Sequence, residues 1–198
     1  MVGLSVVLWL TGCVPVLESP GDDTAATGDG PACGDEGPQS DWPQNTPPDT
    51  LTASGFTAGD VPPDFCMPDQ NWETTSLWQF YGDVVVLDIS TSWCGPCQQL
   101  ATGVQETADS YADDGLTYIT LLAQDVNHET PDEADLDDWA DYFGIVEPVV
   151  ADVEGYYETP IPTDAFPGVW VIGRDMRVVE VVTTYTDEAV RQAIEGAL

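Results

Sequence analysis

The sequence predicts an α/β domain whose mixed central sheet is covered by helices on both faces. Three observations predict it. The runs DVVVLDIS (83–90) and LTYITLLAQD (116–125) are β-branched and apolar almost throughout, the mark of strands buried on both faces. Between and after them, apolar residues recur at helical spacing. Near the end, GVWVIGRDMRVVEVV (168–182) places strand-formers on either side of a turn and reads as a β-hairpin. Strands that alternate with helices and finish in a hairpin require both parallel and antiparallel neighbours.

The elements follow in order. Leu100, Ala101, Val104, Ala108 and Tyr111 form the stripe of a helix after the first strand, with Gly115 as its C-cap. After the second strand, TPDEADLDDWADYFGI predicts a helix capped by Thr130, with Pro131 at its first position and Glu133 at the capping-box position. Its buried face is Leu136, Trp139, Ala140 and Phe143, which makes its aspartates the solvated side. VVAD (149–152) is a short strand, and Val190, Ala193, Ile194 and Ala197 line a closing helix behind the N-cap Thr186.

The chain has 198 residues, enough for one domain with extensions. It carries 36 acidic residues against three arginines and no lysine, a net charge of −33. A polyanion of this density repels phosphate backbones and anionic headgroups, which excludes nucleic-acid binding. A salty habitat and selection for cationic partners both fit such a surface.

Residues 1–10 are almost wholly apolar, and the Leu10-Thr11-Gly12-Cys13 that follows resembles the lipobox of bacterial lipoproteins. That resemblance implies a cleaved signal segment over 1–12 and lipidation of Cys13, with the protein anchored in the cell envelope and facing the periplasm, the outer membrane being favoured over the inner. The run is too short to span a bilayer. Residues 13–58, rich in Pro, Gly, Asp and Thr without apolar period, read as a disordered tether, and the domain occupies 59–198. With Cys13 assigned to lipid and Cys94 and Cys97 to a CxxC, Cys33 and Cys66 remain. An exported compartment permits them to pair as a structural disulfide; a buried, inert thiol at Cys66 is the other reading.

The chemistry centres on TSWCGPCQQL (91–100). A zinc site at Cys94 and Cys97 would need two further thiolate or imidazole ligands, and His128 alone is left to serve, so no metal is assigned. A static disulfide has little reason to sit at a strand-to-helix junction. A redox pair does: the first sulfur meets the partial positive charge of the helix N-terminus, which acidifies it into a nucleophile. Six residues upstream, Asp88 interrupts the buried strand. Burial there raises a carboxyl's pKa and equips it to relay protons to and from Cys97; on an edge strand it would instead face water.

Trp93-Cys94-Gly95-Pro96-Cys97 with an acid six residues before it resembles thioredoxin. The longer stretch VPPDFCMPDQNWETTSLWQFYGDVVVLDISTSWCGPC is similar to the membrane-tethered thioredoxin-like proteins of the TlpA and ResA type. The resemblance covers 59–198 and implies a thioredoxin-like fold with an N-terminal hairpin. It also implies a cis proline opposite the cysteines, for which Phe166-Pro167 fits the slot, so that Trp93, Gly95, Pro96, Phe166 and Pro167 would receive an extended partner segment.

Three departures stand out. Thr120 occupies the place of a usual lysine, Met176 replaces a hairpin glycine, and the insert EPVVADVEGYYETPIPTDA (147–165) is long, with Tyr156, Tyr157, Pro160 and Pro162 available to shape a groove. The activity implied is thiol-disulfide exchange with protein disulfides. The Gly-Pro dipeptide of thioredoxin, a strong reductant at roughly −270 mV, points to a reductase that a membrane electron donor must recharge. No dissociable cofactor is needed. A thiol peroxidase of the peroxiredoxin type and a Cu(I)-binding chaperone are the alternatives.

Overall fold

The computed structural model describes residues 33–160 and 165–198. The signal segment expected over 1–12, the lipidation expected at Cys13 and Pro162, expected to shape a groove, lie outside the described residues.

Five strands form the central sheet in the order β5-β4-β3-β6-β7. β3 (Val84–Thr91) and β4 (Leu116–Gln124) run parallel, as do β4 and β5 (Val149–Ala151), while β6 (Gly168–Ile172) and β7 (Val178–Val182) return antiparallel beside β3. β3 is therefore central, and all eight of its residues are buried. A separate hairpin, β1 (Cys66–Pro68) with β2 (Thr74–Ser76), precedes the sheet and touches it through the Asp69–Val150 bridge.

The helix expected after β3 is two helices, α1 (Gly95–Ala101) and α2 (Val104–Tyr111). Of the predicted stripe, Leu100, Ala101, Val104 and Ala108 are buried and Tyr111 is half-buried, Cys97 and Thr107 are buried as well, and the helix breaks at Thr102-Gly103. A Cβ at Gly103 would lie 3.1 Å from Asp187 Oδ1, so glycine lets the closing helix α4 (Asp187–Ala197) approach that break. Thr107 Oγ1 donates to the same carboxylate at 2.6 Å. Gly115, at φ +70, supplies the left-handed residue that turns the chain into β4.

α3 (Glu133–Phe143) starts differently from expectation. Asp132, two residues after Thr130, is the cap: its carboxylate accepts from Asp135 N at 3.2 Å and Asp135 Oδ2 accepts from Asp132 N at 2.9 Å. Aspartate caps as well as threonine does, and with Asp135 three residues on it forms the reciprocal box in place of the Thr130–Glu133 one. α4 is capped as predicted, Thr186 Oγ1 accepting from Ala189 N at 3.3 Å.

Residues 33–58 differ most from the reading as a tether. They carry little regular structure, yet Trp42, Leu51, Ala53 and Phe56 pack on the core. Gln39 N and Asn45 N donate to the carbonyls of Thr74 and Gln79 at 2.8 and 2.7 Å, and Trp42 Nε1 donates to buried Asp69 Oδ2 at 2.6 Å. Few but large apolar side chains, combined with backbone donors satisfied by neighbouring carbonyls, offset the ordering entropy that the average composition argued against. Cys33 and Cys66 are joined in a disulfide with Cα atoms 5.0 Å apart, fastening the start of this wrap to β1.

Candidate active site

β3 ends at Thr91, and after Ser92 and Trp93 the chain turns into α1 with Cys94 as N-cap. Pro96 stands within the first helical positions, where a missing N–H costs nothing. Cys94 and Cys97 are joined in a disulfide, Cα to Cα 5.2 Å. The Cys97 amide donates to Cys94 Sγ at 3.2 Å, so the first sulfur already receives a backbone donor at a helix start. Cys97 is wholly buried, whereas Cys94 keeps 5 % of its surface open, making the first sulfur the accessible one.

The antiparallel register of β3 with β6 pairs Ile89 with Gly168 and so carries the preceding Phe166-Pro167 alongside the dithiol. That peptide bond is cis, and the Phe166 carbonyl oxygen lies 3.5 Å from Cys94 Sγ. Trp93, 36 % exposed, borders the pair: its ring centroid is 5.9 Å from that of Phe166 and 4.7 Å from that of His128.

Sequence reasoning missed the group that holds this tryptophan. Trp93 Nε1 donates to Gln124 Oε1 at 3.0 Å, and Gln124 Nε2 donates to Tyr157 Oη at 3.3 Å. Tyr157 in turn meets Phe166, with centroids 5.6 Å apart. Gln124 arrives because Ser92 N donates to its carbonyl, continuing the β3–β4 ladder past the strand end. His128, weighed in the sequence only as a metal ligand, sits at φ +65 in a turn held by Asp125, whose Oδ1 accepts from Asn127 N and Glu129 N at 2.8 and 2.7 Å.

Of the tyrosines assigned to a groove, Tyr156 packs inward between Phe56 and Phe65, its hydroxyl donating to Pro63 O at 2.8 Å. Only Tyr157 reaches the site. Pro160 is half-buried in the loop beyond it.

Asp88, 1 % exposed, lies on the central strand and not on an edge. Burial pushes its carboxyl up to about 7, opposed by a hydrogen bond that Ser90 Oγ donates to Oδ1 at 2.7 Å. Oδ2 makes no hydrogen bond among the described residues. Thr120, where the resemblance would put a lysine, stands opposite Asp88 in the β4 register. The Tyr118 hydroxyl, also buried and unbonded, is held well above its usual value by burial first and then by the Asp88 charge. Ser90 shares a strand face with Asp88 at the i+2 spacing, a signal available in the sequence. Among the described residues, no group of three His, Cys, Asp or Glu side chains is arranged to hold a metal ion.

The sequence pattern of the AhpC/TSA family matches residues 58–181. The thioredoxin-like protein YneN of Bacillus subtilis is 26 % identical over 101 residues, 51 % of this chain and 57 % of that protein. Among solved structures, the thioredoxin domain of a thiol-disulfide oxidoreductase from Bacteroides vulgatus superposes with a TM-score of 0.62 at 18 % identity, covering 73 % of this chain and 100 % of that domain. A peroxidoxin, BcpB, from Mycobacterium tuberculosis gives 0.59 at 18 % identity over 72 % of this chain and 96 % of its own. These likenesses establish the thioredoxin-like fold.

Proposed function

We propose, from the premise that the chain belongs to the AhpC/TSA family of thioredoxin-like oxidoreductases, that it reduces disulfides of partner proteins outside the cytoplasm. The observation that carries this reading is the Cys94–Cys97 pair at a strand-to-helix turn, with the Cys97 amide and the Phe166 carbonyl both converging on Cys94 Sγ.

In the reduced protein, Cys94 thiolate attacks one sulfur of a partner disulfide. A mixed disulfide forms and the first partner thiolate leaves. Cys97 gives its proton to the Asp88 carboxylate and attacks Cys94 Sγ, which releases the second partner thiolate. Two electrons have then passed to the partner, and the protein holds the Cys94–Cys97 disulfide. Trp93, Gly95, Pro96, Phe166 and Pro167 receive the partner segment. The dithiol carries the electrons itself, so no dissociable cofactor enters, and a membrane electron donor must restore the thiols.

The lipobox-like Leu10-Thr11-Gly12-Cys13 and the second disulfide support a site in the cell envelope, lipid-anchored through Cys13 and facing the periplasm. The reading is tested by Cys97→Ser, which traps partner proteins as mixed disulfides on Cys94. It is abandoned if that variant captures nothing while Cys94→Ser keeps disulfide reductase activity. The family match also supports a peroxidase reading; steady-state consumption of hydrogen peroxide with the dithiol recycled would put it in place of the first.

A further inference from the structure

Beside the dithiol lies an open groove of about 640 Å³ whose rim includes Ser92 and Gln98, the residues that flank the WCGPC segment. Gln98 Nε2 donates to Ser92 O at 2.7 Å, which ties the two ends of the redox turn into one rim. The far wall is α3. Asp135, Asp138 and Asp141, three residues apart on that helix, line it together with apolar Trp139 and Tyr142. Tyr142 is 82 % exposed, and Val126 on the loop opposite is 65 % exposed. Trp139, 5 % exposed, keeps an indole N–H that no acceptor among the described residues takes up.

The charge around this groove is one-sided. A smaller recess lined by Gln124, His128 and Tyr157, which reach the Trp93 cluster, carries Glu129 and Glu158. None of the three arginines lines either space: Arg174 donates to Gly82 O and Asp114 O, Arg177 to Gly59 O, and Arg191 to Asp187 Oδ2. A second copy of a chain with net charge −33 would bring like charge to the groove. Residues 1–32 fit no better, with four acids and no basic residue.

We propose that this groove docks a cationic segment of the protein being reduced, a stretch bearing Lys or Arg next to an apolar side chain and flanking the disulfide that Cys94 attacks. The proposal rests on the disulfide-exchange reading above and names its substrate class. The apolar side chain covers Tyr142 and Val126, and the basic groups meet the α3 carboxylates. Both contacts hold the partner's disulfide at the Ser92–Gln98 rim, which brackets the segment that carries Cys94.

The test uses the reduced protein and three disulfides: a peptide disulfide flanked by Lys and Leu, the same peptide with Glu for Lys, and uncharged 2-hydroxyethyl disulfide. The Lys peptide is expected to react about tenfold faster than the Glu peptide at low salt, with the ratio shrinking toward one at about 1 M salt. Asp138→Asn with Asp141→Asn should bring the ratio down several-fold. Asp113→Asn with Asp114→Asn removes the same charge just before β4, at the end of the sheet opposite the dithiol, and should leave the ratio as it is. Equal rates for the two peptides, or an equal drop with either pair of substitutions, overturn the docking while exchange stands. If none of the three disulfides reacts, exchange itself is wrong, and docking falls with it.

Discussion

Asp88 of β3 lies opposite Thr120 of β4, and neither Asp88 Oδ2 nor Thr120 Oγ1 finds a hydrogen bond among the described residues. The pair is buried at the centre of the sheet, and all three arginines hold partners elsewhere, so no side-chain cation stabilises the ionised carboxylate.

That site makes resolution of the mixed disulfide pH-dependent. With the Asp88 carboxyl pushed up to about 7, the base that accepts the Cys97 proton forms across neutrality. The rate of mixed-disulfide resolution should rise through that range, and Asp88→Asn should slow it by about 100-fold and erase the limb. Rapid-quench kinetics of the second step would settle this; a wild-type profile without a limb near neutrality discards the relay. Stability moves the other way. The folded state holds this proton up to about 7 while the unfolded chain loses it near the ordinary 3.8, so stability falls as pH rises across that window. The cost above it is on the order of 4 kcal/mol, at about 1.4 kcal/mol per unit. Asp88→Asn should therefore stabilise the protein at alkaline pH and flatten the dependence, read by urea unfolding at several pH values.

The Cys33–Cys66 bridge spans 33 positions in sequence, and a loop of that length lowers the entropy of the unfolded chain by an equivalent of about 3 to 4 kcal/mol. Replacing both cysteines by serine should cost nearly that much in urea unfolding, because Asp69, Thr74 and Gln79 continue to hold the wrap once the bridge is gone. A loss under about 1 kcal/mol would mean that residues 33–58 separate from the domain before it unfolds.

What the sequence made legible has a physical pattern. The two buried strands were plain because uninterrupted β-branched runs have few other uses, and the WCGPC turn because its chemistry is local. The break at Gly103 was hidden, since it depends on how closely Asp187 approaches from a helix about 80 residues later. The cap at Asp132 was misplaced because two competent caps stand two residues apart, each with an acid three residues on, so the local pattern does not choose between them. Gln124 and His128 could not be joined to Trp93 without the β3–β4 register. The wrap was averaged away: Trp42 and Phe56 each act singly, and isolated aromatic residues leave no period.

Met176 sits at φ +62 in the β6–β7 turn, where its N–H donates to Gly173 O at 2.8 Å, a conformation that suits glycine. The left-handed backbone costs an ordinary residue about 1 to 2 kcal/mol. The side chain is nevertheless fully buried, and deleting a buried methionine costs about 2 to 5 kcal/mol. The second effect is larger, so Met176→Gly should destabilise the protein by about 1 to 3 kcal/mol despite relieving the backbone. Met176→Ala keeps the unfavourable φ and loses the same packing, which places it about 1 kcal/mol below the glycine variant. Thermal or urea unfolding of the three proteins gives the order directly. A glycine variant more stable than the parent would show that backbone strain, and not the buried side chain, decides this position.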